Sequence, residues 1–112
     1  MCIYCGLAVQ AGLAARARQR YTQAVEHYTA AIEVRVHSCT YNATLYNERA
    51  DVYYRMGQHI MAIADCYMSK ALDPFSALPI CMRGRSFKAL GYYSLAIKVC
   101  SFGLRSQESR PK

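Results

Sequence analysis

The stretches Ala62-Ile63-Ala64-Asp65-Cys66 and Ala96-Ile97-Lys98-Val99-Cys100 repeat one pattern of small and large residues, and superposing them fixes a shift of 34 residues. The same shift lays Arg49 on Arg83, Ala50 on Gly84, Tyr53 on Phe87 and Gly57 on Gly91. A third copy lies upstream at a shift of 38, where Ala24-Val25 meets Ala62-Ile63, Tyr28 meets Cys66 and Gly12 meets Ala50. The four extra residues fall within Val36 to Tyr41. A period of this length marks a repeat architecture, in which no unit buries its apolar face alone and each stacks on the next.

Each copy divides into two helical stretches. Tyr46, Arg49, Ala50 and Tyr53 step by three or four, and after Gly57 the stripe resumes with Ile60, Ile63 and Tyr67. Gly57 and Gly91 suit the left-handed turn that ends a first helix. Asp73-Pro74 closes the second copy, because proline disfavours helical geometry in the residue before it. Pro79 lies near a helix start, where its missing N–H costs little. The pattern predicts six helices, at about 5–18, 21–35, 43–56, 59–72, 78–90 and 93–106.

A helix pair repeated every 34 residues resembles the tetratricopeptide repeat, whose pattern sets a large residue before L-G-x2-Y, then A-x3-F, then P. The second copy reads Tyr46-x2-Arg49-Ala50-x2-Tyr53, Ala62-x3-Cys66, Pro74; the third reads Ile80-x2-Arg83-Gly84-x2-Phe87, Ala96-x3-Cys100. The first departs furthest, with Ala8, Ala11, Gly12 and Ala15 before Ala24-x3-Tyr28. Leu45 to Ala50 is similar to the "LYSNRA" stretch of co-chaperone repeats, and the inserted residues with Asn42 to Tyr46 resemble repeats of DnaJ-domain co-chaperones. The chain has no His-Pro-Asp triplet, so the likeness is to the repeat region only. The resemblance implies an all-α, right-handed solenoid of three antiparallel helix pairs. It spans residues 5–106, in units of about 5–36, 43–74 and 77–106, with a short N-terminal extension at 1–4 and a polar, basic tail at 107–112.

Fourteen Lys and Arg against seven Asp and Glu give a net charge of +7. The excess sits in the last third, since residues 75–112 hold seven basic groups and one acidic group, +6 in all. Such a patch attracts acidic peptide, nucleic acid or anionic lipid alike. Six cysteines in 112 residues are too few for a disulfide scaffold, and Cys66, Cys81 and Cys100 fall in helical patterns where a small buried hydrophobe suffices. The chain is therefore expected in the reducing cytoplasm, with the nucleus as a second compartment. The uncharged opening run from Met1 to Ala15 is too short to span a bilayer.

No catalytic constellation appears. His27, His37 and His59 share no metal motif, and Cys2-x2-Cys5, even with His37 and Cys39, has no second cysteine pair at finger spacing. No enzyme, metal or cofactor is expected. Tyr21, Tyr28, Tyr46, Tyr53 and Tyr93 occupy the repeat's large-residue positions, while Tyr54, Tyr67 and Tyr92 fall outside them.

The resemblance implies a concave groove lined by the first helix of each pair. Projection of the repeat sets Val9, Leu13 and Arg16 there from the first copy, and Asn47, Glu48, Asp51, Tyr54 and Arg55 from the second. The third gives Leu78, Cys81, Met82, Arg85 and Lys88. Chaperone-binding members grip an acidic C-terminal tail with a clamp of Lys, Asn, Asn, Lys and Arg; those positions fall here on Val9, Leu13, Glu48, Leu78 and Met82, and none matches. An apolar floor flanked by cations instead suits a peptide with apolar and acidic residues. Arg85 and Lys88 could equally form a solvated helix face.

The expected function is that of a non-enzymatic protein-interaction adaptor, chaperone association being its natural extension. The alternatives are a basic, nucleic-acid-associated helical module or a truncated isoform of a larger repeat protein. Arrays of this kind usually end in a further polar helix, so the last helix is expected to leave apolar surface open to self-association or a partner.

Overall fold

The computed structural model describes residues 3–34 and 39–108, with side chains placed for 6–34 and 41–101. Six helices follow one another: α1 (Ile3–Ala17), α2 (Tyr21–Glu33), α3 (Cys39–Arg55), α4 (His59–Leu72), α5 (Leu78–Ala89) and α6 (Tyr93–Glu108). No strand occurs among the described residues. Helices α1 and α2, α3 and α4, and α5 and α6 pack as hairpins; α2 on α3 and α4 on α5 join them into a stack, with α5 also reaching α3. The stack measures 39 × 34 × 19 Å.

The helix count and order are those expected, but the boundaries differ: α1 already begins at Ile3, inside the expected N-terminal extension, and α3 and α6 are also longer. Helix α3 starts at Cys39, four residues early, so part of the insertion lengthens a helix. The segment Cys39-Thr40-Tyr41-Asn42 continues the α3 register, and Tyr41 packs on the core of the first interface. Helix α6 runs through Glu108, two residues into the expected tail.

Three turns inside the hairpins are copies of one another. In the first, the N–H of Arg20 donates to the carbonyl of Ala15 at 2.8 Å and that of Gln19 to Arg16 at 3.0 Å. In the second, Gln58 donates to Tyr53 at 2.9 Å and Gly57 to Tyr54 at 3.0 Å; in the third, Tyr92 donates to Phe87 at 2.8 Å and Gly91 to Lys88 at 3.0 Å. This crossed pair of bonds satisfies the last carbonyls of a helix when one residue turns left-handed. Gly57 (φ 81°) and Gly91 (φ 87°) do so without strain, while the first copy sets Gln19 there at φ 61°. Between the hairpins, Asp73 leaves the helix at φ −138°, ψ 84°, the extended geometry its following proline demands. Pro79 then opens α5 from a fully buried position.

Each interface joins one hairpin to the first helix of the next. Ala15, Ala24 and Tyr28 of the first hairpin close on Val52 of α3, and Ala31 closes on Leu45. Tyr28 is wholly buried, its ring resting closely on Gly12 of α1, where a Cβ would lie 3.1 Å from it. One interface later, Ala50, Ala62 and Cys66 surround Met82 of α5. The buried Asp65 receives a two-pronged pair from Arg49, Nε to Oδ2 at 2.8 Å and Nη2 to Oδ1 at 2.7 Å, while Arg49 Nη1 donates to Thr29 Oγ1 at 3.1 Å. Arg49 thereby ties α3 to α4 and α2, and its guanidinium lies 5.5 Å and 5.8 Å from the rings of Tyr46 and Tyr53. The Asp65 hydrogen bond holds this guanidinium in its charged form.

Two expectations about packing are corrected here. Cys66 is buried, but Cys81 and Cys100 are exposed free thiols, with no described helix outside α5 and α6 on their side of the last hairpin. Tyr93, assigned to the core by its position in the repeat, is 62% exposed and lies beside Tyr54, Arg85 and Lys88.

Candidate peptide-binding groove and its open end

The first helices α1, α3 and α5 carry the residues projected onto the groove, and the structure sorts them into three environments. At the centre lies an ion-pair network. Arg16 Nη1 of α1 reaches Glu48 Oε2 at 2.7 Å and Asp51 Oδ2 at 3.2 Å, both on α3. Arg55 Nε reaches the same Asp51 oxygen at 3.0 Å from one helical turn away. The Tyr28 hydroxyl donates to Glu48 Oε2 at 3.5 Å, and burial, aided by Glu48, pushes its pKa up to about 12. Two arginines and two carboxylates thus neutralise one another.

The second environment is the packed interior. Met82, projected onto the groove floor, is 9% exposed and packs among Ala50, Ala62 and Cys66. That projection is corrected, because α5 leans its Met82 face onto the small-residue notch of the preceding hairpin. Val9 is half-buried against the cluster of Ala31 and Leu45. Asn47 lines a small polar cavity of about 50 Å³ with Glu48, Ser69, Asp73, Ser76 and Leu78. Its Oδ1 is buried there without a protein partner.

The third environment is open. Leu13 and Leu78 are exposed apolar side chains, and Arg85 and Lys88 are exposed cations. Arg85 and Lys88 share a cavity of about 460 Å³ with Tyr54, Ala89 and Tyr93. Tyr54 is held edge-on to His59, ring centroids 5.1 Å apart. Neither cation forms an ion pair among the described residues, and the sequence holds no Asp or Glu between Asp73 and Glu108. Of the four flanking cations expected, Arg16 and Arg55 are engaged internally and Arg85 and Lys88 are available.

The place of Tyr93 escaped the sequence reading, and the apolar surface expected on the last helix takes a definite shape. Tyr93 closes the aromatic side of the Arg85 and Lys88 cavity, although its place in the repeat pointed inward. Beyond these cations, Gly84, Ala96, Ile97 and Cys100 line an apolar slot of about 520 Å³ on the far side of the last hairpin. The 34-residue shift from Ala50, Ala62, Ile63 and Cys66 was the signal that could have found it. The Cys2-x2-Cys5 pair, with His37 and Cys39, lies outside the residues whose side chains are described.

No family model matches the chain. Over 87 residues it is 26% identical to the tetratricopeptide repeat protein 4 homolog of Dictyostelium discoideum, covering 78% of this chain and 22% of that protein. Over 86 residues it is 30% identical to translocon at the outer membrane of chloroplasts 64 of Pisum sativum, covering 77% and 14%. Over 54 residues it is 41% identical to the mitochondrial import receptor subunit TOM34 of Rattus norvegicus, covering 48% and 18%. The chain therefore matches less than a quarter of the length of each of these relatives. The Arabidopsis OM64 TPR domain superposes with a TM-score of 0.80 at 23% identity, covering 95% of this chain and 84% of that one. The first TPR of Spaghetti (RPAP3), solved with the HSP90 peptide SRMEEVD, gives the same score and identity, covering 95% and 81%. Three stacked helix pairs with matching turns, small residues seating a side chain of the next helix, and these likenesses together make the chain a tetratricopeptide-repeat protein.

Proposed function

We propose that the chain is a non-enzymatic adaptor domain that holds a peptide segment of a partner protein in the groove of α1, α3 and α5. The observation that carries this reading is the division of the groove's charges. Arg16 and Arg55 are neutralised by Glu48 and Asp51, whereas Arg85 and Lys88 stand unpaired beside Tyr54 and Tyr93. A segment with apolar side chains for Leu13 and Leu78 and a carboxylate for Arg85 and Lys88 suits this surface. A rigid scaffold leaves most of the ordering cost to the peptide alone.

A relation to chaperones is supported by the TPR neighbour solved with an HSP90 peptide. In this chain, however, Glu48 stands where the clamp needs an amide donor, Met82 is buried where it needs a cation, and Val9, Leu13 and Leu78 donate nothing. We propose that a tail ending in Glu-Glu-Val-Asp is not held by the usual clamp. No described helix is long and apolar enough to cross a membrane. Two relatives are named for a chloroplast outer membrane and a mitochondrial import receptor, and we place this domain in the cytoplasm, organelle surfaces included.

Affinity capture with the wild-type chain beside Leu13→Glu/Leu78→Glu tests the groove, because both leucines are exposed and their change leaves the core intact. Partners retained by the wild type and lost by the variant support the reading. Identical partner sets for the two baits would refute it. Saturable binding of SRMEEVD that is lost in Arg85→Ala would overturn the exclusion of the tail.

A further inference from the structure

The two interfaces in the stack show how a hairpin receives the next helix, and the last hairpin presents the same receptor surface with no other described helix on it. Met82 of α5 is seated among Ala50 of α3 and Ala62 and Cys66 of α4. Moved on by 34 residues, those positions are Gly84 of α5 and Ala96 and Cys100 of α6, and they line the apolar slot of about 520 Å³. Ile63 and Ile97 are the same residue at the same place in the repeat; Ile63 is 8% exposed and Ile97 is 68% exposed. Cys66 is 1% exposed while Cys100 is exposed. Cys66 is packed against Met82 of a helix, α5, so a helix is the shape that fits over Cys100.

Charge narrows the occupant. Arg85 and Lys88 line the slot along the α5 side. From Leu78 to Ser101 the last hairpin also carries Arg83 and Lys98 and no carboxylate at all. The Arg83 guanidinium is turned toward α4, 4.5 Å from the ring of Tyr67, which leaves Arg85 and Lys88 as the cations at the slot's edge. A second copy of the chain is a poor complement, since pairing two end faces would oppose these unpaired cations across the contact, and the whole chain carries +7.

We propose that the end face of α5 and α6 docks an acidic amphipathic helix from a partner protein. The helix lies across the last hairpin as α5 lies across α3 and α4. One unbranched or γ-branched apolar side chain enters the notch of Gly84, Ala96 and Cys100, a second covers Ile97, and Asp or Glu beside the apolar stripe faces Arg85 and Lys88. Gly84 lets α6 close on α5 at the base of the slot, since a Cβ there would lie 2.8 Å from Cys100 Sγ. This surface shares Arg85 and Lys88 with the groove, so acidic ligands of the two compete for these cations, but its apolar lining includes neither Leu13 nor Leu78.

The slot reports its own occupancy, because Cys81 and Cys100 line it and both thiols are exposed. The probe is a synthetic amphipathic peptide of about 16 residues with a Met and Leu stripe flanked by Glu, beside a twin flanked by Lys. Iodoacetamide labelling of each cysteine is read by mass spectrometry, with buried Cys66 as the control that the fold is intact. With the Glu-flanked peptide at about ten times its Kd, labelling of Cys100 is expected to slow about tenfold, following 1 + [L]/Kd, with Cys81 protected alongside it. The Lys-flanked twin is expected to give no protection. Ile97→Glu, a change at an exposed position, is expected to abolish protection while Cys66 stays unreactive, and Arg85→Glu/Lys88→Glu to transfer protection to the Lys-flanked twin. Equal protection by both peptides, or protection that survives Ile97→Glu, would overturn the proposal. Protection of Cys100 that grows with the chain's own concentration in the absence of peptide would also overturn it, in favour of a second copy.

Discussion

Replacing Gln19 with glycine is expected to stabilise the protein, and the other two repeats serve as its controls. Gln19, Gly57 and Gly91 occupy one turn in three copies, with matching hydrogen bonds and φ of 61°, 81° and 87°. A left-handed conformation costs a residue with a Cβ about 1–2 kcal/mol. Glycine gives back about 0.5–1 kcal/mol through the greater freedom of its unfolded chain. The difference leaves a gain of about 0.5–1 kcal/mol for Gln19→Gly, or a rise in Tm of roughly 2–5 °C for a chain of this size. Gln19 is exposed, so no packing is lost with its side chain. The reverse changes Gly57→Gln and Gly91→Gln should each cost a similar amount, because nothing lies within 4 Å of a Cβ at either site and strain alone is at stake. Urea unfolding followed by circular dichroism measures all three, read as midpoint shifts at unchanged slope. A destabilised Gln19→Gly, or neutral Gly57→Gln and Gly91→Gln, would refute the equivalence of the turns.

Asp65→Asn keeps the shape of the Arg49 pair but leaves a largely buried guanidinium facing a neutral amide, so a loss of about 2–4 kcal/mol is expected by urea denaturation. Arg49→Lys should lose less, about 1–2 kcal/mol, since an ammonium cannot bond both Asp65 oxygens and Thr29 at once. Burial pushes the Cys66 thiol from 9.0 up to about 12, so the folded state binds this proton more tightly than the unfolded state. The corresponding stability is whole below pH 9 and declines as pH rises toward 12, by about 1.4 kcal/mol per pH unit. Stability measured from pH 9 to 10 should fall more steeply in the wild type than in Cys66→Ala, which keeps only the smaller loss from the buried Tyr28 hydroxyl as pH nears 10.0. At pH 8 iodoacetamide should label Cys81 and Cys100 and spare Cys66.

The groove was only partly legible in the sequence. Helical periodicity gives the angle of a side chain around its own helix and not the tilt of that helix against its neighbours. Met82 and Leu78 shared a predicted face, yet α5 sinks Met82 among Ala50, Ala62 and Cys66 and leaves Leu78 in solvent. The four cations were equally readable as residues and unreadable as a set. Pairing depends on distances between helices, and 2.7 Å from Arg16 to Glu48 is a property of how α1 meets α3.

What the sequence determined by itself is the repeat. Small residues at fixed spacing, turn glycines and the 34-residue period are local, and the physics that reads them, close helix approach and left-handed caps, acts within one unit. What only the tertiary structure decided is the fate of equivalent residues in unequal surroundings. Ile63 and Ile97, and Cys66 and Cys100, have the same places in the pattern, and one of each pair is covered while the other is open. Burial in a stack is conferred by the next unit along, so it cannot be read from the residue that receives it.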